Sequence, residues 1–408
     1  MLHYLLFLCL GILAYTYAGY GILITVLAKI RSLLKPARSV IDGNTYTPQV
    51  TLLIRAHNKM TCLPAKLQNL YSLNYPADKL SFLFMTEGST DGSTDWLESL
   101  RDDGAQQIMV QGGSKQGGNI PSVNRAMKYV TSPIVIFCDA TTQLNSLAIR
   151  NLARHFQDER IGAAVGEKRI GNYLHEPAGV WGERLYGTYE SYLNRQDAQF
   201  HTVVGATSGL LAIRTALYEP VQADTLLDDF LISMRIAGKG YRVTYEPDAY
   251  TLERPPFSIE EEQKRTVSIA TGRFQSVIRL RHLVNIACYG WLSFQFISRR
   301  VLCWAVAPFC LPIIWLINLV LIFPGKSQTS LPLFWVISFV IQCVFYGLAY
   351  TGYRLQQKGR RIKALQLPLY ITFINVCAIQ GFVHFWRDKT SGIWKKTRRS
   401  NDIELQTS

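Results

Sequence analysis

The stretch FCDATTQL, residues 137–144, follows the run Ser132-Pro133-Ile134-Val135-Ile136 and sets one carboxylate, Asp139, two positions before a hydroxyl, Thr141. Two carboxylates at that spacing suit a hard divalent cation, which takes oxygen ligands. Here a cation would have a single protein carboxylate, with phosphate oxygens supplying others. The plainer reading is a strand-end aspartate that caps a turn. A second acidic tip lies in TEGSTDGSTDW, residues 86–96. Either Glu87 points from a strand end into a crevice, or the run is a tight turn into a helix capped by Ser93 or Asp95. A third acidic group, Asp228-Asp229 in DTLLDDFLISMRI, reads by itself as charge at a helix start, where it complements the dipole.

Short apolar runs that alternate with helix-like stretches position these residues. VTLLIRA (50–56), SFLFMT (81–86), QQIMV (106–110), IVIFCD (134–139) and IGAAVG (161–166) read as strands, with LPAKLQNLYSL, STDWLESLR, VNRAMKYV and LAIRNLARHF as the helices between them. That order predicts an α/β fold with a Rossmann-like, mostly parallel sheet covered on both faces. Ligands bind beyond the carboxyl ends of such strands. Those ends are Ala56-His57-Asn58, Thr86-Glu87-Gly88 and Asp139-Ala140-Thr141, three polar tips on one crevice.

The 408 residues also hold four nearly charge-free stretches, Met1–Ala28, Val301–Phe323, Leu331–Tyr353 and Leu365–Trp386. Each exceeds the roughly 20 residues that a helix needs to cross a bilayer. The first lacks the basic start of a cleaved signal and is followed by Lys29, Arg31, Lys35 and Arg38, so it reads as a retained anchor. Lys and Arg outnumber Asp and Glu 43 to 29, for a net charge of +14. Much of this excess flanks apolar stretches, the pattern of cytoplasmic ends and anionic lipid contact rather than of nucleic-acid binding. The eight cysteines show no paired spacing, so neither a zinc site nor a disulfide framework is expected. No repeat and no intramembrane charge pair marks a transporter.

The expected organisation is a membrane helix over 1–30, a cytoplasmic α/β domain over 39–280, an interfacial amphipathic helix over 281–300, and membrane helices over 301–323 and 331–353. The segment 365–386, with Pro368, Asn375, Gln380, Gly381 and His384, reads as re-entrant or interfacial, a true span being the alternative. A basic cytoplasmic tail follows over 387–408.

In order and spacing, AHNK, TEGSTDGST, FCDATTQL, GATSGLLAIR, LLDDFLISMRIAGKGYRV and RTVSIATGRFQ resemble the processive family 2 glycosyltransferases, the membrane enzymes similar to cellulose, hyaluronan and poly-N-acetylglucosamine synthases. The resemblance spans about residues 10–400. It implies a GT-A fold, a nucleotide sugar with Mg²⁺ or Mn²⁺, and inversion at the anomeric carbon. Asp139 would then be the metal-and-diphosphate aspartate, Asp229 the general base, and His57 and Glu87 part of the nucleotide-sugar site. Lys115 in the Gly-rich loop could cradle phosphate, a plain flexible loop being the alternative, and Arg265 and Arg273 could neutralise the leaving diphosphate. For Arg265 and Arg273, anchoring beside the membrane is the competing reading.

Several positions depart from the family pattern. Asn58-Lys59 stands for Asn-Glu, Glu87 for an aspartate, Thr141 for the second carboxylate, and Thr207-Ser208 for a common Asn-Gly. Gln263 is followed by Thr266-Val267 where processive members have Arg-Trp. Three functions fit. The first is a transferase adding sugar from a UDP-sugar to a growing β-linked polysaccharide that leaves along the helices of 301–353, lined by Asn318, Gln342 and aromatic rings, with secretion proteins as possible partners. The second is transfer of one sugar to a lipid-linked acceptor. The third is a silent homologue that serves as an assembly subunit.

Overall fold

Val50–Arg55 contains only Thr51 as a polar interruption before its final arginine, and its first five residues are buried. A strand without alternation belongs in the middle of a sheet covered on both faces. In the computed structural model it lies there. The strands in chain order are β1 (Val50–Arg55), β2 (Leu80–Met85), β3 (Ile108–Gln111), β4 (Ile134–Asp139), β5 (Gln143–Leu144), β6 (Ile161–Ile170), β7 (Leu211–Arg214) and β8 (Arg242–Glu253). They form one sheet in the order β3-β2-β1-β4-β7-β6-β8-β5. Strands β1 to β4 pair in parallel, as do β6 and β8, whereas β7 runs antiparallel to both β4 and β6. The structure describes residues 2–34, 46–103, 107–113, 118–171, 180–206, 209–253, 259–322, 333–357 and 362–387. Lys115, Thr207-Ser208 and the tail beyond residue 387 lie outside them.

The helices are α1 (Leu2–Leu34), α2 (Leu63–Tyr71), α3 (Ser93–Asp102), α4 (Asn119–Ala126), α5 (Ala148–Ala153), α6 (Val180–Phe200), α7 (Asp228–Gly238), α8 (Ile259–Arg279), α9 (Trp291–Ile322), α10 (Leu333–Gln357) and α11 (Lys363–Arg387). One sheet face buries Leu63, Leu67 and Leu70 of α2, Leu97 of α3, and Ile149 and Leu152 of α5. The other buries Ile120 and Val123 of α4 and Phe230, Leu231 and Met234 of α7. Leu292, Phe296 and Trp304 of α9 belong to that second core, so the start of an apolar helix is fused to the α/β domain.

Among the described residues, four helices are long and apolar enough to cross a membrane: α1, α9, α10 and the Ala364–Arg387 part of α11. The single interfacial helix expected over 281–300 is not formed. Gly290 adopts φ 51°, open to glycine, and divides it into the short turns Arg281–Val284 and Ile286–Tyr289 and the start of α9 at Trp291. The burial of Leu292 and Phe296 draws those residues into the core instead of leaving them at an interface.

Two residues of α11 that read as evidence against a span, Gln380 and Gly381, face α8. Gln380 Oε1 accepts from Gln263 Nε2 at 3.2 Å, and the Gly381 carbonyl oxygen accepts from Thr271 Oγ1 at 3.2 Å. A Cβ at Gly381 would stand 2.5 Å from Ala270 Cβ, so glycine lets α11 and α8 touch backbone to backbone. Asn318 of α9 is buried and donates from Nδ2 to Ser338 Oγ and Gln342 Oε1 of α10, both at 3.0 Å. Those two amides therefore bind their helices together, a known use of polar residues between membrane helices.

Helix α9 widens into a π-type turn over Ile297–Val306, which turns Arg299 and Arg300 toward α6. Arg299 pairs with Asp197 and Glu190 and donates to Asn194 Oδ1 at 2.8 Å. Arg300 donates to Glu190 Oε1 at 3.0 Å and to the Val204 carbonyl oxygen at 2.8 Å. Tyr20 of α1 donates to Asp197 from its hydroxyl. This buried charge network, unexpected from the sequence, ties α1, α6 and α9 into one body.

Candidate active site

The site forms where β1 and β4 end side by side. Their parallel register pairs Arg55 with Asp139, so both side chains leave the same face of the sheet. Arg55 Nε donates to Asp139 Oδ1 at 2.8 Å, and Nη1 donates to Asp228 Oδ2 at 2.9 Å. Nη2 stands 3.7 Å from Asp229 Oδ2. One guanidinium thus lies among three carboxylates, all with side chains no more than a quarter exposed. Burial opposes the Arg55 charge, but Asp139, Asp228 and Asp229 outweigh it and hold its pKa well above the ordinary value.

Asp228 and Asp229 open α7. Two contacts place that turn. Gly205 has φ 82°, and a Cβ there would fall 2.1 Å from the Phe230 ring, so only glycine admits Phe230 next to the acidic pair. From the other side, α8 grips the preceding segment. Gln275 Oε1 accepts from the Leu226 backbone N–H at 3.0 Å, and Gln275 Nε2 donates to the Asp224 carbonyl oxygen at 2.9 Å. Arg279 donates to Thr225 Oγ1 and to Asp224 Oδ2, each at 2.6 Å. A Cβ at Gly272 would be 2.8 Å from Leu227 Cγ. The TGRFQ motif is therefore a clamp on the residues that lead into Asp228-Asp229.

Burial pushes the Asp229 carboxyl up to about 7, against the pull of Arg55 and with the help of Asp228 and Asp139. Its Oδ1 is buried with no hydrogen-bond partner among the described residues. A carboxylate poised near neutrality with one oxygen uncommitted suits a general base. Asp228, expected only as a helix-start charge, makes the closer contact with Arg55.

The other anticipated residues fall as follows. Asp139 ends β4 and also makes the turn: its carbonyl oxygen accepts from Thr142 Oγ1 at 2.9 Å. Buried Lys66 of α2 braces that turn by donating to the Thr142 carbonyl oxygen at 2.7 Å. His57 Nδ1 lies 3.0 Å from the Glu87 carbonyl oxygen, so that nitrogen carries a proton if the bond forms. The Glu87 carboxylate accepts from Arg125 Nε at 2.8 Å and from Ser122 Oγ at 2.7 Å. Its pKa is lowered mainly by Arg125. Neither Ser93 nor Asp95 caps α3. Gly92 stands at the cap with φ 80°, and Asp91 Oδ1 accepts from the Ser93 backbone N–H at 3.1 Å. Arg265 is ion-paired at 3.2 Å with Glu262, one turn away on α8. Arg273 lies over the Trp304 ring, 5.3 Å from its centroid.

The fit of a divalent cation at Asp139 is set by Arg55. Among the described residues no three His, Cys, Asp or Glu side chains converge as a metal-binding group. At equal distance the guanidinium offsets the attraction of one of the three carboxylates for a dication, about 8 kcal/mol at 4 Å and an effective dielectric constant near 20. With Thr141 in place of a second carboxylate and Arg55 engaging the remaining acids, the residues present do not fit the ion.

Arg55, Lys66, Arg125, Gln275 and Arg279 were not anticipated. Arg55 ends an apolar run and carried a signal only as a charge at a strand tip. The roles of the others depend on contacts with distant segments.

Residues 51–219 match the sequence profile of glycosyl transferase family 2. The chain is 22% identical over 237 residues to poly-β-1,6-N-acetyl-D-glucosamine synthase of Staphylococcus aureus, covering 56% of each chain. It is 26% identical over 166 residues to β-monoglucosyldiacylglycerol synthase of Synechocystis, covering 39% of this chain and 34% of that one. The match thus spans about half the length of the first of these relatives and about a third of the second. In fold it is similar to a mannosyltransferase from Pyrobaculum calidifontis, solved with GDP-Man and Mn²⁺, at a TM-score of 0.70 and 20% identity, over 95% of this chain and all of that one. With the sheet order and the acidic strand tips, these matches show that residues 51–219 belong to glycosyltransferase family 2, on a GT-A fold joined to membrane helices.

Proposed function

We propose that this chain is an inverting hexosyltransferase of the inner cell membrane, working at the cytoplasmic face and using a UDP-sugar to extend a β-linked polysaccharide. The observation that carries this reading is the Asp229 carboxyl at the head of α7, raised to about 7 with Oδ1 unpartnered. The acceptor hydroxyl oxygen attacks the anomeric carbon, and its proton passes to Asp229. The bond from that carbon to the diphosphate oxygen breaks, and the nucleotide leaves with the bonding pair. Arg55 orients the carboxylates throughout. His57, and the Glu87–Arg125 pair, border the strand tips at which the nucleotide would lie, as ligands do in sheets of this kind.

The name of the Staphylococcus aureus relative supports a polymer product. Membrane lipids would surround the four long helices, and secretion proteins would complete export. A second reading, one sugar placed on a lipid-linked acceptor, is favoured by the mutual hydrogen bonding of Asn318 and Gln342, which uses the polar groups an export path would need.

The test is nucleotide release and product length from purified chain in nanodiscs, across UDP-sugars and GDP-mannose, with Mg²⁺, Mn²⁺ or EDTA. Release that Asp229→Asn removes supports the transferase, and product length separates polymer from single transfer. A chain that binds no nucleotide sugar is not a transferase, and the assembly-subunit reading then stands.

A further inference from the structure

We propose that Arg55 is the resident cation of this site, its guanidinium standing where a divalent ion would bridge Asp139 to the pair Asp228-Asp229, so that nucleotide binding needs no metal. The inference rests on the nucleotide-sugar reading above and deepens it. Three features of the chain point the same way. The β1–β4 register sets Arg55 beside Asp139 from the backbone outward, so the contact is built into the sheet. The guanidinium reaches all three acids at 2.8, 2.9 and 3.7 Å. Thr141 supplies no second carboxylate at the β4 tip.

A guanidinium also supplies what the ion would otherwise offer to a diphosphate. It has five N–H groups in a planar fork that matches phosphate oxygens, and its charge is fixed at any working pH. Two hydrogen bonds to carboxylates leave N–H groups on Nη1 and Nη2 for a phosphate oxygen. When Asp229 accepts the acceptor's proton, one negative charge beside Nη2 disappears. Arg55 is then less fully neutralised by protein at the moment the leaving diphosphate gains charge.

The alternative is that Arg55 is a plain structural counter-ion and a metal still carries the diphosphate. Calorimetric titration of UDP into the full-length chain in nanodiscs, in EDTA and in excess Mn²⁺, separates the two. The expected Kd changes by less than about twofold between buffers, whereas a loss of about tenfold or more in EDTA overturns the proposal. In a second measurement, Mn²⁺ alone is titrated into nucleotide-free chain and followed by electron paramagnetic resonance. Wild type should leave the Mn²⁺ free, and Arg55→Gln, with three acids exposed to the ion, should bind it. Stoichiometric Mn²⁺ binding by wild type overturns the proposal. Failure of UDP to bind in either buffer overturns the transferase reading, and the Mn²⁺ titration still decides on Arg55.

Discussion

Gln275 holds the backbone of Asp224 from a helix 51 residues further along the chain, its Nε2 donating to the carbonyl oxygen at 2.9 Å. The same amide accepts from Leu226 N–H, so both ends of the side chain fix the segment that delivers Asp228 and Asp229. Gln275→Ala should therefore cost catalysis more than donor binding. Displacing a reacting group by about 1 Å commonly costs about 100-fold, so a 10- to 100-fold fall in kcat with little change in KM is expected. Steady-state kinetics with the donor found active checks it. An equal fall in donor affinity would show that Gln275 belongs to the nucleotide site.

Much of this arrangement was legible in the sequence, for identifiable reasons. Strands β1 and β4 are short, mostly apolar runs without alternation, and that pattern belongs to buried parallel strands. Asp139 stood out as the acidic end of such a run, and Asp229 through the resemblance to the processive family 2 glycosyltransferases. Strand β7 did not, since Leu211–Arg214 is only four residues and its partners lie far away in the chain. Strand β8 carries Pro247 and several charges, and its pairing with β6 is interrupted between Gly166 and Glu167. Arg55 was read over because its meaning depends on the β1–β4 register, and no local spacing encodes a register. Whether Gln380 faces lipid or protein was not legible for a related reason: it is decided by where α8 packs.

Asp229 sets the expected pH dependence. As a base it must be deprotonated, so single-turnover transfer should rise with pH and level off above about 7. Stability follows the opposite course. The folded pKa lies above the unfolded one, so the folded state holds more protons between about 4 and about 7. The stabilising contribution is complete below that window and is lost as pH rises through it. Asp229→Asn should abolish transfer and also remove this fall in stability. Chemical denaturation at several pH values measures the second effect, and an unchanged slope in the variant would mean that Asp229 titrates near its ordinary value.

Gly381 tests whether α11 is part of the functional body. Any side chain there meets Ala270 and the Thr271 backbone N at 2.5 and 2.9 Å. Gly381→Val should push α11 from α8, and overpacking of this kind costs about 1–3 kcal/mol. Because α8 also carries Gln275 and Arg279, the strain should reach the clamp on Asp224. The expected result is a lower melting temperature together with reduced transfer. Reduced stability with full activity would show that α11 is a passive neighbour.

The buried cluster around Arg299 is expected to matter more for folding than for chemistry. Asp197 and Arg299 have side chains 0% and 3% exposed. Removing one partner from such a pair leaves the other charged and buried, which costs about 3–5 kcal/mol, whereas removing both together costs much less. Arg299→Met should therefore lower the apparent Tm in detergent sharply. Adding Asp197→Asn should recover much of the loss, because Tyr20 and Gln295 still provide hydrogen bonds to a neutral amide. A double variant as unstable as the single one would mean that the charge itself, and not its pairing, holds α1, α6 and α9 together.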